Sequence, residues 1–135
     1  MRKAGTKAYR RTTFLNVDLD VSSREDLGPL AEALRPKLIV LHVGRVRRMY
    51  RARFELRAQP RTPDVAIRRL VSAIEHLPAR QRACWKRATT REFSIGIQAA
   101  EEPRDAEFPV DQSTVRMVGK IGARIVITVY GAGLA

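Results

Sequence analysis

The sequence predicts an α+β domain: a two-layer sandwich with a ferredoxin-like β-α-β-β-α-β core, followed by an additional C-terminal helix and strand. Three observations carry this expectation. Five segments show the alternation or the continuous apolar run of a strand. Three segments repeat apolar residues at helical spacing. Their order along the chain is β-α-β-β-α-β-α-β, with the first six elements in split β-α-β connectivity. The expected sheet is five-stranded and mostly antiparallel, with helices on one face.

Residues 12–21 form the first strand. Leu15, Val17, Leu19 and Val21 are expected to point one way, and Phe14, Asn16, Asp18 and Asp20 the other. Ser22 and Ser23 ahead of Glu25 and Asp26 have capping-box spacing, in which a hydroxyl and a carboxylate satisfy backbone N–H groups reciprocally. Leu27, Leu30, Ala31 and Leu34 then supply one helical face, and Pro36 ends the helix. Residues 37–46 contain the apolar run Leu-Ile-Val-Leu-His-Val, expected to be a central strand or one covered on both sides. A turn at Arg47-Arg48-Met49 leads into residues 50–58, where Tyr50, Ala52, Phe54 and Leu56 alternate with Arg51, Arg53, Glu55 and Arg57. The two strands are read as a hairpin whose tip and outer face are cationic.

Thr62 is placed as the N-cap of the next helix, with Pro63 at its first position, where a missing N–H costs nothing. Val65, Ala66, Ile67, Leu70, Ile74 and Leu77 make its buried stripe, and Pro78 breaks it. Residues 79–90 continue as a second helical piece with Cys84, Trp85 and Ala88 on one arc. Residues 91–99 form a strand, with Phe93, Ile95 and Ile97 inward and Ser94, Gly96 and Gln98 outward. After an acidic loop, Asp111 is read as the cap of a short helix carrying Val115, Val118 and Ile121, stopped by Gly122. Residues 123–130 close the chain as a strand, with Ile125, Ile127 and Val129 on one side.

At 135 residues, one domain is expected: a basic flexible arm over 1–11, the domain over 12–131 and a tail over 132–135. No apolar run approaches the roughly 18 residues of a membrane span. The basic start meets Asp18 and Asp20 rather than an apolar signal core, so a cytoplasmic location is expected. One cysteine, Cys84, excludes an internal disulfide within the chain.

Charge is the unusual global property. The net charge is +12, and 21 of the 26 cations are arginine, the residue suited to bidentate contact with phosphate or carboxylate. Residues 1–60 carry 14 cations and 6 anions, residues 61–90 carry 7 and 2, and residues 91–135 carry 5 and 6. All the excess lies in the first two-thirds, which points to an acidic partner.

Two stretches resemble a known kind of domain. They are the opening strand and helix start, Phe14-Leu-Asn-Val-Asp-Leu-Asp-Val-Ser-Ser-Arg-Glu-Asp-Leu27, and the closing Ile95-Gly-Ile-Gln98 with Ile121-Gly-Ala-Arg-Ile-Val-Ile-Thr-Val-Tyr130. Together they are similar to small uncharacterised bacterial α/β domain families, some associated with contact-dependent toxin-immunity systems. The resemblance covers under half the chain and lies in fold-forming rather than catalytic residues. It implies an immunity-like, partner-binding role. Domains of that kind are often acidic, and this chain is basic.

Most candidate chemistry fails on inspection. Gly119-Lys-Ile-Gly122 lacks the spacing of a phosphate-binding loop, and neither His42 nor His76 has a carboxylate at metal spacing. No cofactor and no metal are expected. Cys84 has cationic neighbours, although packing against Trp85 is the simpler reading. The strongest constellation is the basic patch Arg45, Arg47, Arg48, Arg51, Arg53 and Arg57 on the hairpin, with Arg82 and Lys86 from the helix that follows. Arg80, Arg87 and the arm residues Arg2, Lys3, Lys7, Arg10 and Arg11 extend it. Asp18 and Asp20 form a polar pair on the outer sheet face, placed either for acid/base chemistry or for cross-strand pairing with Arg51, Arg53 or Arg57.

Three functions follow in order of expectation. The first is a non-enzymatic binding module for a protein partner, acidic in character. The second is a nucleic-acid-binding protein using the basic hairpin and helix, although the outer face offers chiefly Phe14 and Tyr130 for stacking. The third is an enzyme using Asp18 and Asp20. A homo-oligomer fits the first.

Overall fold

A computed structural model describes residues 11–101 and 104–132. The arm expected over 1–11, apart from Arg11, lies outside the described residues, as does the tail beyond Ala132. The elements are β1 (Thr13–Ser23), α1 (Gly28–Leu34), β2 (Leu38–Val46), β3 (Met49–Leu56), α2 (Pro63–Glu75), α3 (Ala79–Arg87), β4 (Thr90–Gln98), α4 (Gln112–Lys120) and β5 (Arg124–Tyr130). The architecture is α+β, a mixed sheet of five strands in the order β2-β3-β1-β4-β5. Three pairings are antiparallel, and the last, β4 with β5, is parallel.

The helices and one sheet face share one core. Val17, Leu19 and Val21 of β1, Phe54 of β3 and Phe93 of β4 meet Leu30 and Leu34 of α1, Ile67, Leu70 and Ile74 of α2, Trp85 of α3 and Val118 of α4. Each fully buried large aliphatic or aromatic side chain contributes roughly 1.5–3 kcal/mol. The opposite face of β1, carrying Asn16, Asp18, Asp20 and Ser22, is only partly covered.

Local chemistry explains the helix ends. The Thr62 hydroxyl accepts the Val65 N–H at 3.3 Å, and Pro63 opens α2 as expected. Pro78 stands before α3, and Gly122 ends α4 with a φ of 73°. Arg91, which periodicity marks only as a strand residue, finishes α3. Its guanidinium donates to the carbonyls of Trp85, Lys86 and Ala88 and to that of Gly122 (2.8–3.1 Å). Lys86 and Ala88 lie at the C-terminus of α3, where carbonyls lack intrahelical partners, and the Trp85 carbonyl also accepts the Ala88 N–H.

Several expectations are corrected. Ser22 and Ser23 belong to β1, and α1 begins later than the capping-box spacing implies. The Ser23 hydroxyl accepts the Glu25 N–H, and Asp26 accepts the Gly28 N–H at 2.8 Å, so the two motifs form consecutive turns. Asp111 stands at the N-cap of α4, but its side chain accepts no capping bond; its own N–H donates to Asp64. Val65 and Val115, placed in buried stripes, are exposed.

Phe14 and Leu15 exchange roles. The β1–β4 register shifts between Phe14 and Asn16. This turns Phe14 toward the core and leaves Leu15 exposed, because a bulge inserts one residue and reverses the side-chain alternation beyond it. A second shift lies between Val40 and His42. The strand order places β2 at an edge of the sheet rather than at its centre, and Leu41, Val43 and Val46 are exposed, so its apolar run is not covered on both sides either.

Candidate functional site

The open sheet face is built by cross-strand register. One row runs His42-Arg53-Asp20-Glu92-Arg124 across all five strands, and a neighbouring row runs Ile39-Glu55-Asp18-Ser94-Val126. Along the first row, opposite charges meet at Arg53 with Asp20 and at Glu92 with Arg124, while the like charges Asp20 and Glu92 face each other between them. Arg53 Nε donates to Asp20 Oδ1 at 2.7 Å, and Arg124 donates to Glu92 Oε1 at 2.8 Å through NH2. The pairing expected of the aspartates thus exists for Asp20 with Arg53.

Asp18 is held differently. It faces Glu55 across the β1–β3 pair and accepts a 3.3 Å bond from Asn16 Nδ2. Partial burial raises its pKa, and the Glu55 charge adds to the rise; Arg53 opposes both. A Cβ at Gly96, opposite Asn16, would stand 2.5 Å from Asn16 Oδ1, so a larger residue there requires the Asn16 side chain to shift.

A cavity of about 300 Å³ opens beside this row at the β2–β3 hairpin. Asp20, Leu41, His42, Val46, Arg51 and Arg53 line it. Asp18 lies outside it, so the cavity does not gather the carboxylate pair that acid/base chemistry would use. Leu41 and Val46 give the cavity apolar walls between cationic groups. Arg51 has no described ion pair, whereas Arg53 is neutralised in part by Asp20.

The eight cations of the predicted patch do not form one surface. Arg47 and Arg48 make the two-residue turn between the paired Val46 and Met49. Arg45 donates to the Arg47 carbonyl at 3.1 Å and lies 5.6 Å from the Tyr50 ring centroid. Arg57 turns away to the Arg35 carbonyl at the end of α1, at 2.7 Å. Arg82 and Lys86 belong to the helical layer, where Arg82 donates to the Glu75 carbonyl at 2.9 Å. Arg87 is tied to Glu25. Among the described residues, the cations that the strands place on the open face are Arg51 and Arg53 on β3, with Arg124 across the sheet.

Arg82, Lys86, Arg91 and Lys120 also surround a cavity of about 160 Å³ floored by Ile74, Trp85 and Ile121. Lys86 and Lys120 occupy the last turns of α3 and α4. Cations there offset the negative ends of the helix dipoles, which accounts for their convergence without an anionic ligand.

Cys84 is buried, and that burial raises its thiol pKa, so the nearby cations do not make it a thiolate. Among the described residues, no helix is long and apolar enough to cross a membrane. The residues that periodicity did not single out for the site are Leu41, Val46 and His42. The continuous apolar run hides them, and only the bulge at residue 41 brings them to the cavity. Comparison with protein-family models, with curated proteins and with solved structures gives no match.

Proposed function

We propose that this chain is a non-enzymatic binding module that takes an acidic protein partner on the hairpin end of its open sheet face. The observation that supports this most is the hairpin cavity itself. Leu41 and Val46 can receive an apolar side chain while Arg51 and His42 meet an adjacent carboxylate. An interface needs that combination of apolar contact and a charge that selects the partner. The immunity-like resemblance agrees with a partner-binding role. The ferredoxin-like reading of the core belongs here as well. It is supported by β1 lying between β3 and β4, antiparallel to both, with β2 outside β3. β5 is then an addition beside β4.

A fluorescence-anisotropy titration tests the partner class. The probes are a labelled peptide alternating glutamate with leucine, its glutamine counterpart, and labelled single-stranded and duplex nucleic acid, each at two salt concentrations. The proposal expects saturable binding of the acidic peptide, lost with glutamine and weakened at least about ten-fold by Arg51→Ala. Nucleic-acid binding with a log–log salt slope of about −4 to −5, reduced by Arg47→Ala with Arg51→Ala, would replace it with the nucleic-acid reading. Binding to none of the probes at low salt would discard both.

A further inference from the structure

The sheet has two edges, β2 and β5, and they differ in how they are protected. β2 carries a bulge at residue 41 and a cation, Arg45. Bulges and charges are the usual devices that stop an edge from pairing with another chain. β5 has neither a bulge nor a proline, and its single charge, Arg124, stands at its first position. Ile127 is 64% exposed, Val129 60% and Tyr130 51%.

The backbone of β5 shows which groups face outward. The Tyr130 carbonyl accepts the Ala99 N–H at 2.9 Å, so Tyr130 turns its polar groups toward the β4 side. Strand residues alternate in this respect. Thr128, Val126 and Arg124 therefore also face β4, and Ile125, Ile127 and Val129 present N–H and C=O to the open edge. Register puts those same three residues beside Phe93, Ile95 and Ile97, with their side chains on the helix-bearing face. The free hydrogen-bonding groups and the exposed apolar side chains thus belong to the same residues.

We propose that β5 is a dimerisation edge, along which two copies pair antiparallel about Ile127 and continue the five-stranded sheet into the partner. The strand is self-complementary in that register. Ile127 meets Ile127, and Ile125 meets Val129, each pair exchanging two backbone bonds. On the other face Val126 meets Thr128, and Arg124 meets Tyr130, so no like charges are opposed. The same patch serves on both copies, as a two-fold interface requires. β5 suits a second copy of a +12 chain because its one charge, Arg124, is paired with Glu92 on β4 and meets Tyr130 in this register. At physiological salt the Debye length is about 8 Å, which screens the more distant arginines. The hairpin cavity lies at the opposite edge, so this inference stands apart from the partner proposal.

Sedimentation velocity across a concentration series tests it. The wild-type chain is expected to shift from 15.3 kDa toward twice that mass. Ile127→Lys with Val129→Lys should raise the dissociation constant at least about ten-fold, and Leu41→Lys on the other edge should leave it unchanged. Amide exchange of the unaltered protein supplies a readout that needs no variant: Ile125, Ile127 and Val129 should gain protection in step with dimer concentration. A wild-type chain that stays at 15.3 kDa throughout overturns the proposal. So does a dimer that survives both lysines and is lost with Leu41→Lys.

Discussion

The indole N–H of Trp85 donates to the carbonyl of Ile121 at 2.8 Å in the buried layer between helices. Ile121 is the C-cap of α4, so its carbonyl has no partner within that helix. Trp85, at 2% exposure, thereby joins α3 to the end of α4 while filling the core beneath both. Trp85→Phe keeps an aromatic ring but removes the donor and much of the volume. The expected cost is about 2–4 kcal/mol, combining a cavity with an unsatisfied buried acceptor. Urea unfolding followed by circular dichroism measures it. A change under about 0.5 kcal/mol would show that the Ile121 carbonyl finds another partner.

Much of this arrangement is legible in the sequence, and the exceptions have common causes. Pro63, Pro78 and Gly122 act locally, and each marks its helix end where expected. The inward sets Val17, Leu19, Val21 and Phe93, Ile95, Ile97 follow from period-two alternation. Phe14, Leu15 and Leu41 do not, because a bulge is set by the partner strand and leaves no sign in the chain that carries it. For the same reason the patch could be counted but not assembled. Nothing near Arg57 indicates that it reaches the Arg35 carbonyl, or near Arg87 that it meets Glu25. Both are decided by contacts between residues distant in the chain.

The hairpin turn offers a direct test of backbone strain. Arg47 has a φ of 59°, a left-handed conformation that costs a non-glycine residue roughly 1–2 kcal/mol. A two-residue hairpin with positive φ at its first turn position usually places glycine there. Arg47→Gly is expected to stabilise the protein by a few tenths of a kcal/mol to about 1 kcal/mol, the relief of strain outweighing glycine's extra chain entropy. Arg47→Val, β-branched at the same φ, should destabilise it by about 1 kcal/mol or more. Thermal unfolding of the pair checks both signs. Equal melting temperatures would mean that the turn relaxes freely.

Asp18 and Asp20 should answer neutralisation in opposite directions, although they share one strand face. The folded-state pKa of Asp18 is raised, by partial burial first and by Glu55 next. A raised carboxyl binds its proton more tightly in the native state than in the unfolded chain. Stability therefore falls as pH rises from the unfolded value near 3.8 through the folded one, and the ionised group is a cost at neutral pH. Asp18→Asn removes that cost, and its carbonyl can still accept from Asn16. The expected gain is about 0.5 kcal/mol at pH 7, the scale of a like-charge cross-strand pair, shrinking toward zero at a pH of about 2.5, more than a unit below the free carboxyl value, where folded and unfolded forms are both protonated. Asp20→Asn removes the ion pair with Arg53 instead, leaving at most a neutral hydrogen bond, and should lose up to about 1 kcal/mol at pH 7, since that pair is partly exposed. Denaturant midpoints of the two variants at both pH values decide the matter. If both variants are destabilised at neutral pH, the Asp18 carboxylate is stabilised where it stands, and the repulsion from Glu55 across the ladder is not what governs it.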